Sequence, residues 1–137
     1  MAEEYYAELT ISSLTLTPDE ISEMLGMKYD HCHVKGNNIG KSILKAPKHS
    51  WMVYSRIPRD NDIDEHITDL LERISPISDK LKNIVSYPDI EILFYCVIYT
   101  KNRQDFGFNY DQVQAIADIG ASINVDLYLL PEDDEED

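Results

Sequence analysis

The chain has 137 residues, of which 43% are hydrophobic, and it contains nine tyrosines. This length and composition suit one folded domain that buries about two-thirds of the surface of its unfolded chain, and they exclude an intrinsically disordered protein. The net charge of −14 disfavours general binding to phosphate backbones, and no apolar run reaches the length of about 20 residues that a membrane-spanning helix needs.

The charges are sorted by region. Residues 28–59 carry seven bases and one acid, whereas the rest of the chain carries 25 acids and five bases. The last six residues, 132–137, are all acidic. This sorting indicates which partners the chain attracts or repels, but it says nothing about the fold. We expect residues 1–130 to form a single domain and residues 131–137 to be a disordered acidic tail.

The first half of the chain predicts two strands, a helix and a long loop. Residues 5–12 alternate between apolar and polar side chains, as a half-buried strand does. Thr17, Pro18 and Glu20 are typical of a helix start, and Gly26 of a helix end. Residues 27–50 show no sustained alternation of apolar and polar residues and predict a basic loop, which could include a short strand at 29–34. Residues 51–57 predict the next strand.

The second half predicts a long helix followed by alternating strands and helices. An apolar stripe over residues 63–85 indicates the main helix, which begins at a capping box of Asp62 and Glu65 and is kinked or split at Pro76. Residues 90–100 predict a central strand, 106–109 a short strand, 110–119 a helix and 122–130 a last strand. This order, β-α-β-α-β-β-α-β, predicts an α+β, ferredoxin-like fold: a mixed, mainly antiparallel sheet with helices packed on one face.

Short motifs are distributed along nearly the whole chain before the tail. They are residues 7–11 (AELTI), 17–21 (TPDEI), 25–26 (LG), 35–36 (KG), 50–55 (SWMVYS), 65–67 (EHI), 70–73 (LLER), 119–120 (IG) and 125–128 (VDLY). In order and spacing they resemble the bacterial domain-of-unknown-function family four-two-seven-nine. The resemblance implies a shared fold and no established activity. The acidic end and the lysine-rich central loop depart from the family pattern.

Trp51, Ser55 and His66 are the candidate ligand-binding residues. Trp51 and Ser55 share one face of a predicted strand, because residues i and i+4 match its period, and His66 lies at the edge of the apolar stripe of the main helix. If strand and helix are neighbours, these side chains line one pocket. The alternative is a packed tryptophan whose indole N–H and a neighbouring histidine satisfy each other.

Lysines and histidines of the central loop are further candidates. Four lysines of the Gly- and Asn-rich loop are expected to face anions and to be mobile: Lys35, Lys41, Lys45 and Lys48. His31, Cys32, His33 and His49 form a metal-like cluster, but a strand would point Cys32 away from the two flanking histidines, and the lysines oppose a divalent cation. We therefore predict no metal and no other cofactor.

Two functions remain open. No catalytic motif supports an enzyme, and the two cysteines, in a chain without an export signal, are expected to be reduced thiols in the cytoplasm. The favoured function is a small acidic protein-interaction module, most concretely an immunity-type protein that neutralises a basic toxin by binding. The alternative is a small-molecule binding or catalytic module at Trp51, Ser55 and His66. Nucleic-acid binding is not expected.

Overall fold

A computed structural model describes residues 2–102 and 105–131. Within these residues the chain forms a five-stranded sheet, in the order β2-β3-β1-β4-β5, and four α-helices. The strands are β1 (Glu4–Ser13), β2 (His31–His33), β3 (His49–Tyr54), β4 (Glu91–Thr100) and β5 (Ser122–Leu129). The helices are α1 (Pro18–Leu25), α2 (Ile63–Ile74), α3 (Ser78–Ile84) and α4 (Tyr110–Asp118).

The sheet is mixed and mainly antiparallel, and the predicted α+β class is confirmed. β1 is central and pairs antiparallel with β3 and β4, and β2 extends the sheet antiparallel to β3. β5 lies parallel to β4 at the opposite edge. Parallel neighbours need a crossover connection, which α4 supplies between these two strands.

The core lies on one face of the sheet. Ala7, Leu9 and Ile11 alternate along β1 and are fully buried, as are Trp51 of β3 and Phe94 of β4. The same apolar cluster includes side chains from every described α-helix, namely Ile21, Leu25, Ile67, Leu70, Leu81, Ile84 and Ile116. Because neighbouring strand residues point to opposite faces, the intervening residues form a second, open face without a covering helix among the described residues.

The helix ends match the sequence patterns in part. Thr17 and Glu20 form the predicted capping box, and Gly26 ends α1 in the left-handed conformation with φ 71°. The predicted capping box of Asp62 and Glu65 is wrong. Asp62 makes no side-chain cap bond, and the Glu65 carboxylate accepts a hydrogen bond from the Asn61 side chain instead. The Asn61 amide thus binds the carboxylate that the capping box would need.

The break in the main helix falls where Pro76 predicted it. α2 ends at Ile74, a 3-10 turn covers Ser75–Ile77, and α3 begins at Ser78. Proline lacks a backbone donor and its ring crowds the preceding turn, so the helix cannot continue straight through this residue. Ile77 remains buried, and the apolar stripe therefore continues across the break.

The predicted element order is wrong at two points. Residues 106–109 form no strand, because Asn109 is the N-cap of α4 and accepts a hydrogen bond from the Gln112 N–H at 2.8 Å. The short strand β2, predicted within 29–34 but left out of the order, pairs with β3. The ferredoxin-like assignment stays a prediction.

None of the helices in residues 2–102 and 105–131 is long and apolar enough to cross a membrane. The predicted acidic tail, apart from Pro131, lies outside the described residues.

Candidate functional site

Ser55 and His66 form a hydrogen-bonded pair just beyond the end of β3. Ser55 Oγ lies 2.7 Å from His66 Nδ1 and accepts the backbone N–H of Ala7 at 3.0 Å. Either Ser55 Oγ or a protonated Nδ1 is the donor of this bond, according to the tautomer of His66. Burial lowers the pKa of His66, although the Pro58 carbonyl opposes the shift. The shift favours the neutral form of His66.

The pair connects β1, the end of β3 and α2. A serine next to an imidazole is also the arrangement that activates nucleophiles, but such a serine needs substrate access and donors for an oxyanion. His66 is fully buried, and its Nε2 has no hydrogen-bond partner among the described residues. The geometry gives the pair a structural role, and ligand binding at these residues stays a prediction.

Trp51 is completely buried on the helix-bearing face of β3. Its indole N–H donates to Ser22 Oγ of α1 at 3.1 Å. The alternative in which Trp51 and His66 satisfy each other is therefore wrong, because each bonds to a different serine. The strand places Trp51 and Ser55 on one face, as its period predicted, but Trp51 anchors α1 while Ser55 anchors α2.

The basic loop contains a hairpin, which we call the basic hairpin (residues 34–48). Backbone hydrogen bonds join Gly36 to Ala46 and Ile39 to Leu44, both at 2.9 Å. Lys45 Nζ donates to Asn38 Oδ1 at 2.5 Å. At its tip Ile43 is 89% exposed. The sequence missed this hairpin because glycines and asparagines interrupt the apolar alternation, and none of the predicted lysine contacts with an anion is tested.

Asp30 fixes the chain before the basic hairpin to α2. Its carboxylate accepts hydrogen bonds from both terminal nitrogens of Arg73, from Arg56 at 3.1 Å and from the Tyr54 N–H at 2.9 Å. Burial alone raises the pKa of Asp30, but the bonds from Arg73, Tyr54 and Arg56 outweigh it and lower the pKa to about 2. The sequence contained a signal for this ion pair, since Asp30 is the single acid of the basic segment.

The open face of the sheet is rich in tyrosine. Tyr54 and Tyr95 lie opposite Glu8 on the neighbouring strands. Tyr6 packs edge-on against Tyr54 with ring centroids 6.0 Å apart, and the Arg59 guanidinium lies 4.1 Å from the Tyr6 ring centroid. Burial among these rings raises the pKa of Glu8, while a hydrogen bond from Thr10 opposes the shift. Strand propensity alone gave no sign that these tyrosines share one face of the sheet.

An acidic groove runs between α2 and α4. Two clefts of about 200 and 360 Å³ share Leu71 and Ser75 and so form one groove, which we call the acidic groove. Ile74 and Ile119 add to its apolar floor. A third cleft adjoins it at Asp64, whose carboxylate accepts the Gln112 side-chain N–H at 3.1 Å.

Carboxylates dominate the rims of these clefts. The lining acids are Asp62, Asp64, Glu72, Asp105, Asp111 and Asp118, and Lys82 is the one base among the described lining residues. Sequence reasoning found the acidic surplus but not the groove, because the facing helices are more than 30 residues apart in the chain. No group of acids, histidines or cysteines within the described residues has the geometry to hold a metal ion.

Residues 3–130 match the family described as Domain of unknown function (DUF4279). Because the match covers nearly the whole chain, the chain belongs to this family, which confirms the resemblance seen in its motifs. No curated protein and no solved structure matches the chain.

Proposed function

We propose that this DUF4279 family member is a non-catalytic binding module whose acidic groove holds a basic segment of a partner protein. The composition of the groove is the observation that supports the proposal. Its floor is apolar, at Leu71, Ile74 and Ile119, and its rims carry carboxylates. An amphipathic segment with apolar side chains on one face and lysine or arginine beside them fits such a surface. Charge complementarity speeds association and rejects wrong partners.

The most concrete version is an immunity-type protein that neutralises a basic toxin in the cytoplasm of a bacterial cell. The net charge of −14 would steer a basic partner toward the chain. Cys32 and Cys96 are free thiols, which suits a reducing compartment. Neutralisation by binding needs no catalytic residues, and the Ser55 and His66 pair is occupied in joining secondary-structure elements.

The test uses a short synthetic helical peptide with leucines along one face and lysines along the other. Glu72→Lys combined with Asp118→Lys reverses two rim charges, and Lys near the end of α4 suits the helix dipole. We expect binding to weaken by about tenfold or more, which corresponds to about 1.4 kcal/mol. Fluorescence anisotropy at fixed salt measures the change.

A matched control separates the groove from net charge. Glu23→Lys with Glu91→Lys makes the same change in net charge at exposed acids of α1 and β4. Equal weakening by both double variants would mean that the peptide follows net charge, and the groove would lose its support. Co-expression with the product of a neighbouring reading frame that inhibits growth tests the toxin version, which fails if growth is not restored.

One observation favours the alternative, small-molecule binding at Trp51, Ser55 and His66. His66 Nε2 is buried without a hydrogen-bond partner among the described residues, and a ligand with a complementary hydrogen-bonding group would satisfy it. Since Trp51 and His66 are fully buried, entry requires the fold to open. Saturable thermal stabilisation by a metabolite, lost in His66→Phe, would support this function over the first.

A further inference from the structure

The two edges of the sheet differ in a way that points to an intermolecular contact. β2 is three residues long and contains two histidines, which is how natural sheets limit pairing at an edge. β5 is eight residues long and carries one charge, Asp126. Much of its large apolar surface is exposed, at Ile123, Val125, Leu127, Tyr128 and Leu129. An apolar edge of this length without lysine or proline is a template for another strand.

The outer backbone of β5 is free to pair within the part of the chain that the structure describes. β5 is hydrogen-bonded to β4, and Leu130 donates its N–H to the Thr100 carbonyl at 2.8 Å. Backbone groups of successive strand residues alternate in direction, so those of Val125, Leu127 and Leu129 point away from the sheet. The side chains of these residues lie on the helix-bearing face and are 45%, 55% and 73% exposed.

We propose that β5 pairs antiparallel with β5 of a second copy of this chain, joining two sheets into one. An antiparallel strand pair is self-complementary under two-fold symmetry, so one strand supplies both sides of the contact. Charge favours this direction. Parallel pairing would bring together the acidic residues 132–137 that follow the two strands, whereas antiparallel pairing starts them at opposite ends. This contact does not depend on the acidic groove.

Charge and exposed apolar surface together select the register. The helix-bearing faces of the two sheets lie on the same side when odd-numbered residues of one β5 lie opposite odd-numbered residues of the other β5. A register centred on Asp126 would set two carboxylates opposite each other, which is destabilising. A register centred on Val125 would leave Leu129, which is 73% exposed, without a strand partner, whereas a register centred on Leu127 leaves, of the apolar residues, only the less exposed Ile123, at 37%, without one. The register centred on Leu127 pairs Val125 with Leu129 and Asp126 with Tyr128, and it joins the outward backbone groups of the two Leu127 residues.

The mass of the protein in solution tests the contact. Light scattering and sedimentation equilibrium should give twice 15.8 kDa at high protein concentration. Leu127→Lys should give the monomer mass at the same concentration, because a lysine on an edge strand blocks pairing. This variant lowers the net negative charge of each copy, so weaker association cannot come from greater repulsion between the net charges of the two copies, although the register sets the two new lysines opposite each other.

Ile43→Lys is the matched control, since it puts the same residue at an exposed apolar position in the basic hairpin. It should leave the dimer intact. Leu129→Lys provides a second edge variant at a more exposed position, and the melting temperature of each variant reports whether it folds. Wild-type protein that stays monomeric up to millimolar concentration, or a dimer that survives both edge lysines in folded protein, would overturn the proposal.

Salt and cross-linking give independent readouts. Each copy carries a net charge of −14, so screening by salt should strengthen an apolar and backbone contact. A dimer that weakens with salt would instead be held by opposite charges, such as the basic hairpin on an acidic surface, and the proposal would fail. In a Cys32→Ser background, Leu127→Cys should oxidise to a covalent dimer, while Val125→Cys should not. The reverse result would overturn the register.

Discussion

At the scale of single residues, buried polar side chains have specific partners in neighbouring elements. Trp51 of β3 bonds to Ser22 of α1, and Gln112 of α4 bonds to Asp64 of α2. His66 bonds to Ser55 through Nδ1. A buried polar group without a partner costs about 1–3 kcal/mol, so each partner specifies one arrangement of the elements. Single substitutions of buried residues can therefore test how much each contact contributes to stability.

Trp51→Ala should lower the free energy of unfolding by about 3–5 kcal/mol, because it leaves a cavity in the core and an unpaired Ser22 hydroxyl. Urea denaturation measures the change. Trp51→Phe keeps most of the ring volume and should cost less. Near-normal stability of the alanine variant would contradict the complete burial of this side chain.

Asp30→Asn should destabilise the fold at neutral pH and not at acid pH. The pKa of Asp30 is lowered to about 2 from an ordinary value of 3.8, so the folded state binds its carboxylate form better. That stability is present above the ordinary pKa and is lost as the pH falls toward 2. The shift of nearly two pKa units corresponds to about 2–3 kcal/mol at about 1.4 kcal/mol per unit, and solvent screens this partly exposed pair, so the expected loss at pH 7 is about 2 kcal/mol or less.

Asp79→Asn is the control for Asp30, because its exposed pair with Lys82 at 3.9 Å should contribute little. Denaturation with urea at several pH values compares the two variants with the wild type. If the Asp30→Asn effect persisted unchanged near pH 2, the ion pair would not be its cause.

Glu8→Gln should change the stability of the fold at neutral pH in the opposite direction to Asp30→Asn. Burial on the open face raises the pKa of Glu8, so ionisation costs more in the folded state than in the unfolded state. Stability from this group therefore falls as the pH rises through its ordinary pKa. We expect the glutamine variant to be more stable than wild type at pH 7 and equal to it at low pH. Destabilisation at pH 7 would show that the carboxylate makes a favourable contact.

At the scale of elements, the ends of helices and strands follow local chemistry. Thr17, Pro18 and Gly26 bounded α1 correctly because capping acts within a few residues. The region 106–109 was misjudged because aromatic residues favour strands when no partner is considered. Here Phe106 and Phe108 pack edge-on, with ring centroids 6.3 Å apart, in the approach to α4. Whether such a segment forms a strand therefore depends on whether another strand lies beside it.

Gly120→Ala should destabilise more than Gly40→Ala. Both glycines have positive φ, 75° and 56°, which costs an L-residue about 1–2 kcal/mol. At Gly120 an added Cβ would also lie 2.9 Å from Val85 Cγ2, whereas at Gly40 it meets nothing within 4 Å. We expect an additional cost of about 1–3 kcal/mol at Gly120. Equal melting temperatures for the two variants would show that α4 shifts freely against Val85.

At the scale of the whole molecule, charge is separated in space as well as in sequence. The basic hairpin carries Lys35, Lys41, Lys45 and Lys48, whereas the clefts beside α2 and α4 are lined mainly by carboxylates. At physiological salt the Debye length is about 8 Å, so each surface acts mainly at short range. Two oppositely charged surfaces of one chain can therefore select different partners.

Nucleic acid should bind weakly and with strong salt sensitivity. The basic hairpin offers few cations, and the net charge of −14 repels phosphate over the rest of the chain. Fluorescence anisotropy with duplex and single-stranded DNA and RNA at about 0.15 M salt measures this. Tight binding that disappears when Lys41, Lys45 and Lys48 are changed to Glu would contradict the basic-partner proposal and make this a nucleic-acid-binding protein.

The sequence by itself determined the α+β class, the break at Pro76 and the sorting of charge, because these depend on local propensity, backbone chemistry and composition. The tertiary structure alone decided three relations between distant residues. Trp51 and His66 bond to different serines, the acidic groove forms between two helices, and the apolar side chains of β5 are exposed within the described part of the chain. Alternation predicts which strand residues share a face, but the packing of other elements decides whether that face is buried.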